Sequence, residues 1–509
     1  MGKALGVIVS LLVVVSAAAA SVCALEEGAS QTRQTHLADD FGASPFDDQP
    51  DSDAIQACVD QLMSGDTVLF TSDDGSDDYR GYLIDKTIFL VRNSPRSDLT
   101  FTSTDTESHA LLKATADLRG FVVRLWARSS MDGILAGQID DIRLTHVDLD
   151  GNRQERVAIG YDGIDGTADD NWGSWLNECP RGTGAWCSPG TLAMDGMIDT
   201  EDLEEDYEGN PDRWSTGLVV HDVVIANTEG GSACVVGGAA CTVDSVTIRD
   251  AGDHVHARGC AQTDPDEPID RWSDGMSVIG PALRITNNTV INASDIGITA
   301  FGGRDTVIEG NTVIAEEGNH GMFGGIVVGQ PHVGTFAGIR VANNTVVNEA
   351  SVVCGGIHVG IHIGGHLWGG GCVGSAEPAA FGAPGCPEDL PAGGVVDCPD
   401  LGPCRLWGYI PAGESFELVE NRVVGAQVNY LVEGIYIEGQ FVAADNLSET
   451  PRMTDWENDV SCGCFDTVSR VRIHHYVAHD PVLLDTPTVN YADGQPITSW
   501  EDICIHCER

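Results

Sequence analysis

The chain carries little positive charge. Of its 509 residues, 27 are lysine or arginine and 77 are acidic, which gives a formal net charge of −50. The only lysines are Lys3, Lys86 and Lys113. A surface of this sign repels the phosphates of nucleic acid and of anionic membranes, so we expect neither as a partner. The same charge suits a high-salt environment, the binding of divalent cations, or both.

Aromatic residues and long apolar stretches are also scarce. Aromatics make up 6% of the chain, against 61 glycines, a composition typical of narrow stacked repeats and not of a helical globule. Residues 5–15 are apolar, with Lys3 before them and alanines at 17–20, as in a secretory signal peptide. We predict a signal peptide over residues 1–24, with an uncleaved anchor as the alternative. The mature protein is then secreted, periplasmic or on the cell surface, monomeric and without a membrane span.

The middle of the chain repeats a short motif. Asn-Thr-Val followed by Ile or Val begins at Asn288, Asn311 and Asn344, and the first two are 23 residues apart, about one coil of a solenoid. Between the motifs lie short apolar segments that open with Gly275, Gly297, Gly325 and Gly356. No repeat can bury its apolar face alone, so neighbours must stack. The sequence predicts an all-β fold, a right-handed parallel β-helix with disulfide-tied loops.

The recurrent asparagines have two interpretations. Asparagine tolerates the left-handed backbone of a turn, and stacked asparagine side chains hydrogen-bond from coil to coil as a ladder. Asn421 and Asn446 look like later steps of such a ladder. Ligand binding is the alternative, and the ladder is the favoured interpretation.

Motifs near the N-terminus resemble a known cap. Residues 40–43 read Asp-Phe-Gly-Ala, residues 51–59 read Asp-Ser-Asp-Ala-Ile-Gln-Ala-Cys-Val, and residues 65–70 read Gly-Asp-Thr-Val-Leu-Phe. They resemble the N-terminal cap of the pectate-lyase-like superfamily, in particular its rhamnogalacturonase/epimerase-type branch. The resemblance implies a β-helix closed by a short helix, for which we expect Asp53 as N-cap. Lyases, hydrolases, epimerases and phage tailspikes share this cap, so it does not choose the chemistry.

A second resemblance covers residues 274–440. Ser273-Asp274-Gly275-Met276-Ser277 and Asp295-Ile296-Gly297-Ile298 are similar to segments of secreted β-helix proteins of bacteria and fungi. That group has no established activity, so the match implies a fold and not a function.

The sequence pattern predicts that the chain is divided into four segments. These are a signal peptide (1–24), an N-terminal cap with the first coil (35–110), the β-helix (111–447) and a C-terminal cap (448–509). Insertions at 161–215 and 364–403 interrupt the repeat. The C-terminal cap is expected to cover an otherwise open strand edge.

The first insertion is rich in acid and tryptophan. Its acidic residues include Asp162, Asp165, Asp169 and Asp170. Carboxylates in such a cluster can bind Ca²⁺, although no twelve-residue calcium loop is present. A solvated acidic loop is the alternative. The tryptophans either form a sugar-binding wall or pack the insertion against the helix.

The chain has 16 cysteines. In an exported protein these predict disulfides, and close pairs are Cys179/Cys187, Cys234/Cys241 and Cys354/Cys372. The C-terminal cysteines have two interpretations, a disulfide-tied cap or a zinc site. These are Cys462, Cys464, Cys504 and Cys507.

Alignment of the coils predicts a site on the outer face. It stacks Arg304, His332 and His362 on successive coils, about 4.8 Å apart per step, as catalytic candidates. Substrate-binding candidates are His358, Thr299, Glu438 and Tyr436. Ordinary exposed polar positions are the alternative interpretation of Arg304, His332, His362 and His358.

Two classes of function remain open. The first is an enzyme acting on polysaccharide, with pectate-lyase-like β-elimination of uronate units as the leading reaction. There His332 or His362 would take the C5 proton, Arg304 would bind the carboxylate and Ca²⁺ would acidify the proton. A glycoside hydrolase or an epimerase is a further possibility. The second class is a non-catalytic carbohydrate-binding or surface solenoid.

Overall fold

The computed structural model describes residues 33–91, 96–118, 120–126, 139–157, 190–195, 215–228, 231–252, 273–317, 322, 324–329, 334–350, 359–364, 395–398, 402–405, 408–426, 428–437, 439–449, 472–476, 490–492 and 495–497. Its helices are Ser52–Asp60, Arg153–Val157 and a short 3-10 helix, Ala38–Phe41. No helix among these residues is long and apolar enough to cross a membrane.

Three long sheets contain nearly all the strands. Sheet A consists of Thr35–Leu37, Thr67–Phe70, Thr100–Ser103, Arg143–Thr145, Val219–His221, Thr242–Asp244, Arg284–Thr286, Val307–Glu309, Arg340–Ala342, Ser415–Val419 and Gln440–Ala444. Sheet B consists of Tyr82–Ile84, Ala110–Ala114, Val147–Asp150, Val224–Ala226, Thr247–Ala251, Thr289–Ala293, Thr312–Ala315, Thr345–Asn348, Arg422–Val424, Leu447–Glu449, Asn490–Ala492 and Gln495–Ile497. Sheet C consists of Ile88–Val91, Val123–Trp126, Leu192–Asp195, Gly231–Gly237, Ser273–Gly280, Ile296–Gly302, Gly324–Val328, Val359–Ile363, Val428–Ile437, Gly408–Ile410, Gly334–Thr335 and Arg472–Tyr476.

The chain visits the sheets in the order A, B, C and then begins the next coil. One coil, for example, runs through Arg284–Thr286, Thr289–Ala293 and Ile296–Gly302. Each strand pairs in parallel with the equivalent strand of the next coil. Antiparallel pairing joins Val395–Cys398 to Gly402–Arg405 and Asn490–Ala492 to Gln495–Ile497. The predicted parallel β-helix is confirmed, while its right-handed sense, its N-terminal cap and its segment boundaries stay predictions.

Alternation of side chains along the short strands builds the core. In sheet A the inward column includes Ile285, Ile308 and Val341, which pair in register and are fully buried. Because the strands carry one apolar residue inward at each step, stacking gives a continuous core that no single coil could form.

The asparagine ladder is present. The side-chain amides of Asn288, Asn311, Asn344 and Asn421 each donate to the Oδ1 of the next asparagine at 2.9–3.0 Å, ending on Asn446. Each amide also donates to a backbone carbonyl of the preceding coil, as Asn311 does to Ile285 at 2.8 Å. All five side chains are buried, so these bonds satisfy groups that water does not reach.

The sequence suggested that the ladder asparagine itself adopts the left-handed backbone conformation at this corner, but it does not. The left-handed residue is the one before it, with φ of 56° at Asn287, 70° at Gly310 and 54° at Asn343. That residue turns the chain from sheet A to sheet B. The following asparagine is thereby free to point into the corner and bond to its neighbours.

A column of glycines forms the start of the sheet C strands. A Cβ on Gly297 would collide with the side chain of Val313 and the backbone oxygen of Gly325. Gly275 and Gly325 are equally confined. Gly360 is the confined glycine that follows Gly325 in the column, and Gly356, which the sequence gave as the start of an apolar segment, lies outside the described residues.

The helix Ser52–Asp60 packs its buried face, including Ile55 and Val59, onto the first coil. The predicted N-cap Asp53 was wrong, because the N-cap is Asp51, whose side chain makes no capping hydrogen bond. The Asp51 carboxylate instead accepts the backbone N–H groups of Ser44 at 2.7 Å and Leu83 at 2.8 Å. Burial raises its pKa to about 6, against the effect of those two bonds. The carboxyl therefore ties the helix to the first strand of sheet B.

The predicted pair Cys234/Cys241 is not formed, because Cys234 is a free thiol in the core. Cys234 lies inward on sheet C, in register with Met276, whereas Cys241 immediately precedes a sheet A strand. Burial raises the pKa of the Cys234 thiol to about 12, which keeps it protonated and unreactive. The other predicted pairs and the four C-terminal cysteines lie outside the described residues.

Candidate active site on sheet C

The outward column of sheet C differs from the predicted alignment. Val235, Ser277, Thr299, Val327 and His362 follow one another in register. His362 therefore lies two coils beyond Thr299. The alignment of the sequence repeats had paired Ile326 with Ile357 and so placed His358 there. The error is one of register: Val359 pairs with Gly324, so the strand is offset by four residues from the expected pairing.

Arg304 does not join this column. It follows strand Ile296–Gly302 in the corner before sheet A, is 49% exposed, and its Nε lies 3.1 Å from Asp305. Its guanidinium is also 3.8 Å from Glu414. The predicted stack of Arg304 on His362 is therefore not formed, because His362 is in mid-strand.

The remaining candidates are beyond what the structure describes at side-chain level. His332, His358 and Glu438 lie outside the described residues, as do the four aspartates proposed to bind calcium. Tyr436 belongs to a described strand and pairs in register with Tyr409 and Tyr476. Among the described residues, no three His, Cys, Asp or Glu side chains are arranged to hold a metal ion.

A buried polar cluster lies beside Thr299, and its central residue, Asp274, is not among the site residues predicted from the sequence. The Ser277 hydroxyl donates to Asp274 Oδ2 at 2.7 Å and lies 2.6 Å from the Ser232 hydroxyl. The backbone N–H of Ile296 donates to Asp274 Oδ1 at 3.3 Å. Gly275, between Asp274 and Ser277, packs against Val290 of sheet B, where a Cβ would lie 2.5 Å from Val290 Cγ1.

The Asp274 carboxyl has an unusual proton affinity. Only 5% of the residue is exposed, and burial raises its pKa to about 7. The hydrogen bonds that Asp274 accepts from Ser277 and Ile296 act in the opposite direction and are outweighed. A carboxyl of this kind exchanges its proton near neutral pH, as a general acid or base must.

The surroundings of the cluster are apolar. Val235, Ile279, Phe301 and Val327 are on the same outer face and are all buried. This sheet is therefore buried on both faces, and the polar cluster is an exception within it. Perturbed carboxyls in such settings are candidates for functional groups. The sequence signal was the spacing of Asp274 and Ser277, three residues apart around a glycine.

No protein family's sequence profile matches the chain, and no curated protein matches it either. Solved structures resemble it at low TM-scores. The surface adhesin PfbA of Streptococcus pneumoniae has 13% identity and a TM-score of 0.34, over 91% of this chain and 100% of the adhesin. The A-module of mannuronan C-5 epimerase AlgE6 of Azotobacter vinelandii has 13% identity and a TM-score of 0.32, over 82% of this chain and 95% of that one.

Two further matches are to longer chains. The chain spans 52% of ORF18 of Geobacillus virus E2, at 9% identity and a TM-score of 0.28. It spans 64% of an alpha-1,3-glucanase catalytic unit from Streptomyces thermodiastaticus, at 11% identity and a TM-score of 0.31 over 82% of this chain. TM-scores of this size support no conclusion about the function of this chain.

Proposed function

We propose that the protein is exported and acts on polysaccharide, by proton transfer at Asp274 on the outer face of sheet C. The observation that carries the proposal is the buried Ser232–Ser277–Asp274 cluster, whose carboxyl has a pKa of about 7. The leading reaction is β-elimination of a uronate unit. In it the Asp274 carboxylate takes the C5 proton, the C4–O bond breaks with its electron pair on the leaving oxygen, a C4–C5 double bond forms, and the Asp274 carboxyl then returns the proton to that oxygen.

The position of His362 suits contact with a neighbouring sugar. Three steps along the column separate it from Ser277, which is about 14 Å at the spacing of parallel strands. That is too far for His362 and Asp274 to act on one bond. A polymer that runs along the solenoid axis would pass both residues and would contact them once this buried face is open. Arg304 has no part in this arrangement, and Ca²⁺ bound by the acidic insertion remains part of the proposal as a bridge to a polyanion.

Proton transfer can be measured separately from elimination. Uronate polymers incubated with the protein in D₂O should lose C5–H signals by NMR, and elimination should add ultraviolet absorbance from the unsaturated product. Asp274→Asn should lower both rates by about 100-fold or more, the usual contribution of a general base. Both assays are run with and without Ca²⁺.

A matched control is Asp445→Asn. Asp445 is exposed, has a φ of 54° and occupies the corner position that Asn343 fills elsewhere, so the same substitution there should leave both rates unchanged. Exchange without ultraviolet product would indicate an epimerase in place of a lyase. Activity that survives Asp274→Asn would show that this site is wrong.

One observation favours the non-catalytic alternative. Asp274, Ser277, Thr299 and His362 are each at most 5% exposed, so a polymer reaches them only if this face opens. A carbohydrate-binding solenoid would bind polymers but produce neither C5 exchange nor ultraviolet product on any uronate substrate.

A further inference from the structure

The first coils of the solenoid lack the asparagine ladder. At the equivalent corner position they carry Val147, Val223 and Val246, and the ladder's first member, Asn288, accepts the backbone N–H of Val246 at 2.9 Å. The corner between sheets A and B in the coils of Val147 and Val223 therefore has no asparagine of the ladder to join it. Its outer surface carries a different set of stacked polar groups.

Three histidines stack on this corner. The ring centroids of His109 and His146 are 5.6 Å apart and those of His146 and His221 are 5.9 Å apart, each pair edge to face. His146 holds the left-handed corner position, with a φ of 56°. It is thus the counterpart of Asn287 and Asn343 in the later coils.

The outer two histidines each have a carboxylate partner. His109 Nδ1 is 2.8 Å from Asp148, and His221 Nδ1 is 3.0 Å from Asp244. The middle ring, that of His146, has no carboxylate of the described residues at hydrogen-bond distance. Its Nδ1 faces the Thr102 hydroxyl at 3.4 Å, and its Nε2 is 3.7 Å from Asp222.

The Asp222 carboxylate lies near the rings of both His146 and His109, because its Oδ2 is also 3.7 Å from Nε2 of His109. A proton on His146 would therefore lie between two other imidazoles, opposite one shared carboxylate and the more distant Glu107. Burial lowers the pKa of His146; Asp222 and Glu107 raise it, while His109 and His221 lower it further.

We propose that this histidine stack is a pH-responsive joint: protonation below neutral pH loosens the corner of the early coils, while the coils joined by asparagine stay closed. A histidine whose pKa is lowered on folding stabilises the protein above its unfolded pKa of about 6.5. That stabilisation is lost as the pH falls through the folded value. The asparagine ladder has no titrating group and does not respond.

Hydrogen exchange of the full chain at pH 7 and pH 5 tests the joint. After correction for the intrinsic effect of pH, backbone amides in residues 143–150 and 219–226 should lose about tenfold or more of their protection at pH 5. Amides in residues 284–293 and 307–315 should keep theirs. Equal loss in both regions, or loss in neither, would overturn the proposal.

The matched variant is His146→Asn. Asparagine adopts the left-handed geometry and already occupies the same corner at Asn287 and Asn343, so the fold is expected to survive. The variant should remove most of the pH-dependent loss, and an unchanged loss would contradict the role of His146. A second measurement needs no variant: NMR titration of the wild type should give His146 a pKa below the value of about 6.5 of an unperturbed histidine, and a value at or above it would refute the joint.

Discussion

The contacts and pKa values of individual residues in this protein depend on neighbours from other coils, which the local sequence does not show. Asp274 sits in a motif, Ser-Asp-Gly-Met-Ser, that suits a strand opening as well as a site. Ser232, which lies near its partner Ser277, is 45 residues from it in sequence. Burial raises the pKa of Asp274, and the neighbouring coil supplies the polar group Ser232; neither is visible in the motif. The pKa of Asp244 is shifted in the opposite direction. Burial would raise this pKa, but hydrogen bonds from Thr286, Asn287 and Ser245 outweigh the effect of burial and lower it.

The pH dependence of stability should separate these two carboxyls. A raised pKa stabilises the fold below about pH 4, and this contribution is lost progressively as the pH rises towards about 7. Asp274→Asn should therefore match the wild type near pH 4 and be more stable at pH 8, by about 4 kcal/mol for a pKa moved from 3.8 to about 7. Urea unfolding at both pH values measures this.

Asp244→Asn is the opposing control for that experiment. Its lowered pKa stabilises the fold above about pH 4, so the variant should be less stable than the wild type at pH 8 and approach it in acid. The same sign for both variants would contradict the assignment of their environments.

At the scale of the element, the corner between sheets A and B has two kinds of position. Its left-handed position accepts several residue types, including His146, Asp222 and Gly310. The next position in the later coils is asparagine, because only a short amide both donates to one coil and accepts from another in this geometry. The first position sets the turn and the second joins the coils.

Asn311→Ala should cost about 3 kcal/mol or more. It removes the acceptor for the backbone and amide N–H groups of Asn288 and the donor to Asn344, which leaves buried polar groups unsatisfied. The control is Asn343→Gly, at the left-handed position, which should cost well under 1 kcal/mol because glycine adopts that geometry freely. Thermal unfolding compares them, and equal losses would refute the distinction between the two positions.

At the scale of the whole molecule, charge sets the conditions under which the solenoid is stable. A net charge of −50 on 509 residues produces repulsion along the entire surface, whereas the core is a continuous apolar column that salt affects little. Among the described residues, basic side chains pair with acids, as Arg422 does with Glu449 at 2.7 Å. Such exposed pairs are too few and too weak to balance the excess.

Salt should therefore stabilise the protein strongly. Raising NaCl from 0.05 M to 1 M shortens the screening length from more than 10 Å to about 3 Å, so the unfolding temperature should rise by several degrees. A fall, or no change, would show that surface repulsion is not a significant term. Repeating the measurement with CaCl₂ at matched ionic strength would reveal any specific effect of calcium.

The sequence by itself determined the fold, because the period of its motifs requires stacking. It also determined the ladder of Asn288, Asn311 and Asn344, since each occurs at the same point of a short, regular coil. The register of strand pairing could not be predicted from the sequence where the coils vary in length. The strand containing His362 follows residues of irregular pattern, and a shift of four residues there moved the histidine to another column.

Only the tertiary structure decided which polar residues come together. The contacts of Asp274 with Ser232, and of His146 with His221, join residues far apart in sequence. A pKa depends on burial and on neighbours in adjacent coils, which a linear pattern does not contain. The sequence predicted a solenoid with polar residues on its outer face, and the register of the coils decided which of them form a cluster.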